Sequence, residues 1–208
     1  MAKKSFIQGA AILGIAGIFV KILGACFRIP LGNLIGDVGM AYYQAVYPVY
    51  NIFLAVSTAG IPVAISKMVS ERNALGRYHE GYRVFRISFL LMFLIGVLSS
   101  SVCFFGAEPY FTACGIPEAK YAMMALAPAL LLVPMMASFR GFFQGNQNMK
   151  PTAVSQVTEQ VFRVALGLSL AYIWLPKGLE FSAAGAAFGA TAGSVGGILV
   201  VALLYLLQ

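Results

Sequence analysis

The chain has 208 residues, is 60% hydrophobic and only 10% charged, and carries a net charge of +7. Soluble domains usually contain about 25% charged residues, so a water-soluble fold of this length would leave too much apolar surface in solvent, and the excess requires lipid. The positive charge does not mark a nucleic-acid binder, because Lys and Arg punctuate apolar runs instead of lining a polar domain.

A helix crossing the hydrocarbon core needs about 20 apolar residues. Six segments satisfy this: about 5–28, 38–62, 84–106, 119–141, 152–175 and 182–207. No Asp, Glu, Lys, Arg or His lies between Asp37 and Lys67, between Arg86 and Glu108, between Lys120 and Arg140, or after Glu180. Turn formers separate the segments: Pro30-Leu31-Gly32-Asn33, Glu108-Pro109, Gly115-Ile116-Pro117, Gly145-Asn146, Lys150-Pro151 and Pro176-Lys177-Gly178. The longest polar connection runs from Ser66 to Arg83, with a short surface helix expected within 71–81. The first segment ends at Arg28 without a small-residue cleavage site, so it reads as a helix rather than a removed signal peptide.

In the first segment Gly14, Gly17, Lys21, Gly24 and Arg28 are spaced three and four apart and share one helical face. Lys21 and Arg28 either snorkel to the headgroups or line a hydrated cavity that offers positive charge to an anion. The second segment carries a polar stripe of Gln44, Tyr47, Asn51 and Thr58. These side chains serve either interhelical hydrogen bonding or cavity lining, and Pro48 can kink the helix. In the fourth segment Pro128 and Pro134 bend the helix and free backbone carbonyls.

The fifth segment places Gln156, Glu159, Arg163 and Gly167 on one face, with Glu159 and Arg163 at the i,i+4 spacing of an ion pair. Arg163 lies roughly 16 Å along the helix from Thr152, near mid-bilayer. A charge there costs about 2.5–3.5 kcal/mol on insertion scales, so it must face the bundle or a cavity and find a partner. In the sixth segment Gly185, Gly189, Gly193 and Gly197 form a small-residue ridge for close helix approach. Cys26, Cys103 and Cys114 lack metal or redox spacing and read as small packing residues. His79 stands alone among loop charges, and no nucleophile, phosphate loop or zinc signature is present. Neither an enzyme nor a cofactor or metal is expected.

Lys and Arg in the loops set the orientation. With the amino terminus inside, Lys3, Lys4, Lys67, Arg72, Arg77, Arg83, Arg86, Arg140 and Lys150 fall on the cytoplasmic side, against Arg28, Lys120 and Lys177 outside. Tyr172 and Trp174 then anchor the outer interface, and Tyr205 the inner one.

Two stretches carry a family resemblance. Gly39-Met-Ala-Tyr-Tyr-Gln-Ala-Val-Tyr-Pro-Val-Tyr50 leads into Ser57-Thr-Ala-Gly-Ile-Pro-Val-Ala-Ile-Ser-Lys-Met-Val-Ser-Glu71. The second is Arg140-Gly-Phe-Phe-Gln-Gly-Asn-Gln-Asn-Met-Lys-Pro-Thr-Ala-Val-Ser-Gln-Val-Thr-Glu-Gln-Val-Phe-Arg163. Both resemble the oligosaccharidyl-lipid and polysaccharide exporter branch of the multidrug/oligosaccharidyl-lipid/polysaccharide exporter superfamily. Within that branch they resemble the stage V sporulation protein B group, related to lipid II flippases.

The resemblance implies an all-α membrane protein with a MATE-like architecture of two pseudo-symmetric lobes around a central cavity. Residues 1–208 would be one six-helix lobe, with the carboxy-terminal lobe missing or replaced by a homodimer partner. It further implies that Lys21 and Arg28 approach the diphosphate of a polyprenyl-linked sugar. Related flippases tend to carry an arginine in helix two, whereas residues 51–58 here contain no cation.

The expected function is a flippase lobe in the cell membrane, working by alternating access on a lipid-linked anionic saccharide similar to lipid II. Lys21, Arg28, Gln44, Tyr47, Asn51 and Arg163 are the expected substrate-binding residues. Glu159 either holds Arg163 or couples transport to a cation. The competing readings are a cation-coupled multidrug exporter and a non-transporting scaffold that uses the basic loop 67–86.

Overall fold

The computed structural model describes residues 2–58 and 60–207, with side chains described from residue 8 onward except residue 10. Lys3 and Lys4, used above for orientation, have side chains outside this set. Among the described residues all regular structure is helical. In chain order the helices are α1 (Ala2–Ala45), α2 (Tyr47–Thr58), α3 (Ile61–Ala74), α4 (Tyr78–Ala113), α5 (Ala119–Leu126), α6 (Ala129–Gly145), α7 (Lys150–Trp174) and α8 (Leu179–Leu206). A 3-10 turn at Leu175–Lys177 joins α7 to α8.

Four stretches are long and apolar enough to cross a membrane: Ala11–Ala74, Tyr78–Ala113, Ala119–Gly145 and Leu179–Leu206. They bear outward-facing Ile15, Ile22, Val56, Leu98, Phe105 and Leu199, a surface that is tolerable only in lipid. The chain is a membrane protein. Helix α7, with Glu159 and Arg163 in its middle, is not one of the four.

The helix breaks differ from those expected at the prolines. Pro30 sits inside α1, which continues through the expected Pro30–Asn33 turn and breaks instead at Gly36. There φ is 63° and ψ is −171°, a combination that is essentially restricted to glycine. Pro109 likewise lies inside α4, and the chain reverses two residues beyond the end of that helix, at the expected turn around Gly115 (φ 74°). The polar stretch 66–83 is not a loop with its own surface helix. Helix α3 extends to Ala74 and α4 begins at Tyr78, leaving a tight turn at 75–77. Pro128 does separate α5 from α6, as its ring requires.

The α8 ridge packs as its spacing predicts. A Cβ on Gly189 would lie 2.6 Å from the carbonyl oxygen of Arg163, and one on Gly193 would lie 2.5 Å from that of Glu159. Bare backbone thus meets bare backbone along α7 and α8, the close approach that dispersion forces need where water supplies no hydrophobic drive. Two cores fill the bundle. One joins Phe27, Leu31 and Ile35 of α1 to Phe111, Met123, Leu126 and the alanines of α8. The other is aromatic, with Phe85, Phe139, Phe142 and Phe143 packed around Met136 and Val201. Of the three cysteines, Cys103 is buried in the first core while Cys26 and Cys114 are exposed.

Candidate functional site

Helices α1 and α7 run in the same direction and approach closely at Gly24, where a Cβ would sit 3.2 Å from Nε2 of Gln160. Phe27 packs over Gly167 one to two turns further along. Beside this crossing opens a cavity of about 440 Å³, lined by Lys21, Gly24, Ala25, Phe27 and Arg28 of α1, Gln160 and Arg163 of α7, and Tyr43 and Tyr47. The break at Gly36 folds the last part of α1 back so that Tyr43 returns to Phe27, with ring centroids 6.2 Å apart. The Tyr43 and Tyr47 hydroxyls are 2.6 Å apart, and their rings stack in a tilted pair at 5.0 Å.

Three cations therefore share one polar chamber with two phenol hydroxyls and an amide. Among the described residues none of Lys21, Arg28 and Arg163 has a carboxylate within 4.0 Å. Among the described residues no acid lines the cavity. Lys21 and Arg28 are exposed at the chamber wall and Arg163 is half-buried, so an anion entering the chamber can reach all three through charge-assisted hydrogen bonds. Arg supplies planar, bidentate donors suited to phosphate oxygens.

Glu159 does not pair with Arg163, although the i,i+4 spacing favoured that pair. Its Oε2 accepts a hydrogen bond from Nη2 of Arg140 on α6 at 2.8 Å. Arg140 also donates to Oγ of Ser155 from Nε at 3.0 Å and from Nη2 at 2.6 Å. Both ionic side chains are largely buried, at 15% and 21% exposed. The acid is thus neutralised across α6 and α7, and Arg163 is left facing the chamber.

Of the residues singled out from sequence, Lys21, Arg28, Tyr47 and Arg163 meet at this cavity. Gln44 and Asn51 are exposed and lie outside its lining. Thr58 donates to the carbonyl of Leu54 at 2.7 Å. Gln156 keeps a buried Oε1 with no hydrogen-bond partner among the described residues. Sequence reasoning missed Tyr43 and Gln160. A signal for each existed: Tyr43 is four residues before Tyr47, and Gln160 is three before Arg163, so each shares a helical face with a residue already singled out.

Comparison with known proteins identifies the family of the chain. The chain matches the model of a family described as "Polysaccharide biosynthesis protein" over residues 6–206. It is 40% identical over 197 residues to the uncharacterized membrane protein YabM of Bacillus subtilis (strain 168), covering 95% of this chain and 36% of that one. Stage V sporulation protein B of the same organism is 32% identical over 201 residues, covering 96% and 39%. Lipid II flippase MurJ, also from that organism, is 33% identical over 208 residues, covering 94% and 38%. The chain spans less than two-fifths of the length of these relatives. No solved structure matches it significantly. Because the family match takes in nearly every residue from α1 to α8, the chain belongs to the polysaccharide biosynthesis protein family.

Proposed function

We propose that this chain is one lobe of a flippase that moves a lipid-linked, diphosphate-bearing saccharide across the cell membrane by alternating access. The observation that carries this reading is the chamber between α1 and α7, where Lys21, Arg28 and Arg163 converge with no acid in its lining. One relative is named a lipid II flippase, which supports this class of cargo.

A second feature supports an amphiphilic cargo. Nearer the amino ends of the same two helices lies an apolar groove of about 450 Å³, lined by Ile12, Ile15 and Phe19 on one side and Val154 and Val157 on the other. Charge above and hydrocarbon below match a polyprenyl diphosphate, whose headgroup needs cations while its tail needs none.

In this reading the lobe comprises residues 1–208 and crosses the membrane six times, with the amino terminus in the cytoplasm. The run 11–74 counts as two spans, since its 64 residues are roughly twice the full bilayer thickness when helical and the helix breaks at Gly36. Helix α7 counts as a further span, its charges turned to the chamber and to α6 and not to lipid. A second lobe, or a second copy of this chain, closes the chamber from the opposite side. A proton-coupled multidrug exporter would use Glu159 as the titrating group, but Arg140 already holds that carboxylate. Transport chemistry here needs binding and release only, so the lobe is no enzyme.

The test is equilibrium binding of a short-chain prenyl diphosphate to the full chain in neutral lipid nanodiscs. Each charge-assisted hydrogen bond contributes about 1.5–3 kcal/mol. Lys21→Gln with Arg28→Gln should therefore weaken binding roughly 100-fold, while a prenyl alcohol binds both proteins equally poorly. Equal affinity of wild type and double variant would remove the proposed role of the chamber.

A further inference from the structure

A second polar cavity, of about 570 Å³, lies at the opposite end of the bundle from the outer loops, where α4 begins and α8 ends. Its lining is His79, Tyr82, Arg83 and Arg86 of α4 and Tyr205 of α8. The four α4 residues are spaced 79, 82, 83 and 86, so they occupy one face over two turns. Among the described residues neither Arg83 nor Arg86 has an acid within 4.0 Å. Glu80, the nearest acid in sequence, is taken by Arg72 at 2.9 Å and Arg77 at 3.5 Å. Among the described residues the site thus offers two arginines and no acid, with phenol hydroxyls as additional donors.

The floor of this cavity is an aromatic cluster. Tyr205 packs against Phe85 at 5.0 Å and against Phe139 and Phe142 at 5.6 and 5.5 Å between ring centroids. Tyr82 packs on Phe142 at 5.3 Å. Tyrosines anchored in an apolar core with polar tips outward mark the level of lipid headgroups. Deeper along the same two helices the surface turns apolar. Ile87, Leu90 and Leu94 of α4 and Leu199 and Leu203 of α8 are all exposed.

We propose that this cavity is a binding site for the headgroup of an anionic phospholipid, with Arg83 and Arg86 on the phosphate, the tyrosine hydroxyls on the glycerol oxygens, and the acyl chains along the exposed leucines of α4 and α8. Basic pockets between membrane helices on the cytoplasmic side take anionic headgroups in this way. A free phosphate would use the arginines equally, but the adjoining apolar strip selects the lipid. The site is independent of the chamber between α1 and α7. It tethers α4 to α8, two elements whose ends must stay together if the lobe moves as a unit.

Native mass spectrometry of the full chain, released from detergent with phosphatidylglycerol or phosphatidylcholine, tests this. One phosphatidylglycerol should be retained about tenfold more strongly than phosphatidylcholine. Arg83→Gln with Arg86→Gln should abolish that preference. Both arginines are exposed, so the variant keeps its fold, and single Arg83→Gln serves as a milder check. Lys67→Gln with Lys150→Gln removes the same charge elsewhere and should leave retention unchanged. Equal loss in both double variants, or displacement of the lipid by millimolar inorganic phosphate, would overturn the assignment.

Discussion

Arg140, Glu159 and Ser155 show how a single unforeseen neighbour changes the chemistry of a site. Glu159 and Arg163 stand four apart on α7, yet the carboxylate turns to Arg140 on α6. Nothing in the spacing reveals this, because Arg140 is 19 residues away and its approach depends on the turn at 146–149. The cations were easier to place. Lys21, Arg28 and Arg163 are conspicuous in apolar runs, and the energetic need to leave lipid predicts a shared chamber. Tyr47 was singled out from its polar stripe, whereas Tyr43 entered by way of Gly36, a fold-back that no periodicity reports. The Arg140–Glu159 pair gives a prediction at this scale. Glu159→Gln should lower stability by about 3 kcal/mol, because a nearly buried guanidinium is left without its counter-charge. Adding Arg140→Gln should restore a large part of that loss. Thermal unfolding in detergent measures both, and equal destabilisation by single and double variants would contradict the pairing.

At the scale of elements, the apolar runs located most helices and the glycine ridge of α8 located its partner face, whereas prolines misplaced the breaks. Pro30 and Pro109 stay inside helices, since the hydrogen bonds they remove are few beside the lipid-imposed need to satisfy all the others internally. Glycine governs instead. Gly36→Ala should destabilise the chain by about 1–2 kcal/mol, because a Cβ opposes φ near +60°. It should also weaken prenyl diphosphate binding by swinging Tyr43 away from Phe27. Gly193→Val is predicted to be more severe, with its Cβ forced 2.5 Å from a backbone oxygen. Circular dichroism melts of the two variants check the order. A harmless Gly193→Val would mean that α7 and α8 do not meet as described.

For the whole molecule, composition alone identified a membrane protein, and the resemblance in two motifs identified its family. The number of crossings was less legible, because α1 through α3 form one nearly continuous apolar run and α7 carries charges that lower its hydropathy. In six spans with an internal amino terminus, residues 77 and 147 face the cytoplasm and residues 116 and 177 face outside. Single cysteines at these positions in a cysteine-free chain should react with a membrane-impermeant maleimide from outside only at 116 and 177. Labelling at 77 would refute the orientation.

The chamber between α1 and α7 is tested most directly by photo-crosslinking. A prenyl diphosphate carrying a photoreactive group next to its phosphates is bound to the full chain, irradiated and mapped by mass spectrometry. The adducts should fall within residues 21–28 and 160–163 and vanish when unlabelled diphosphate competes. Adducts confined to the lipid-facing side of α4, or spread evenly over the helices, would show that the three cations do not form a site.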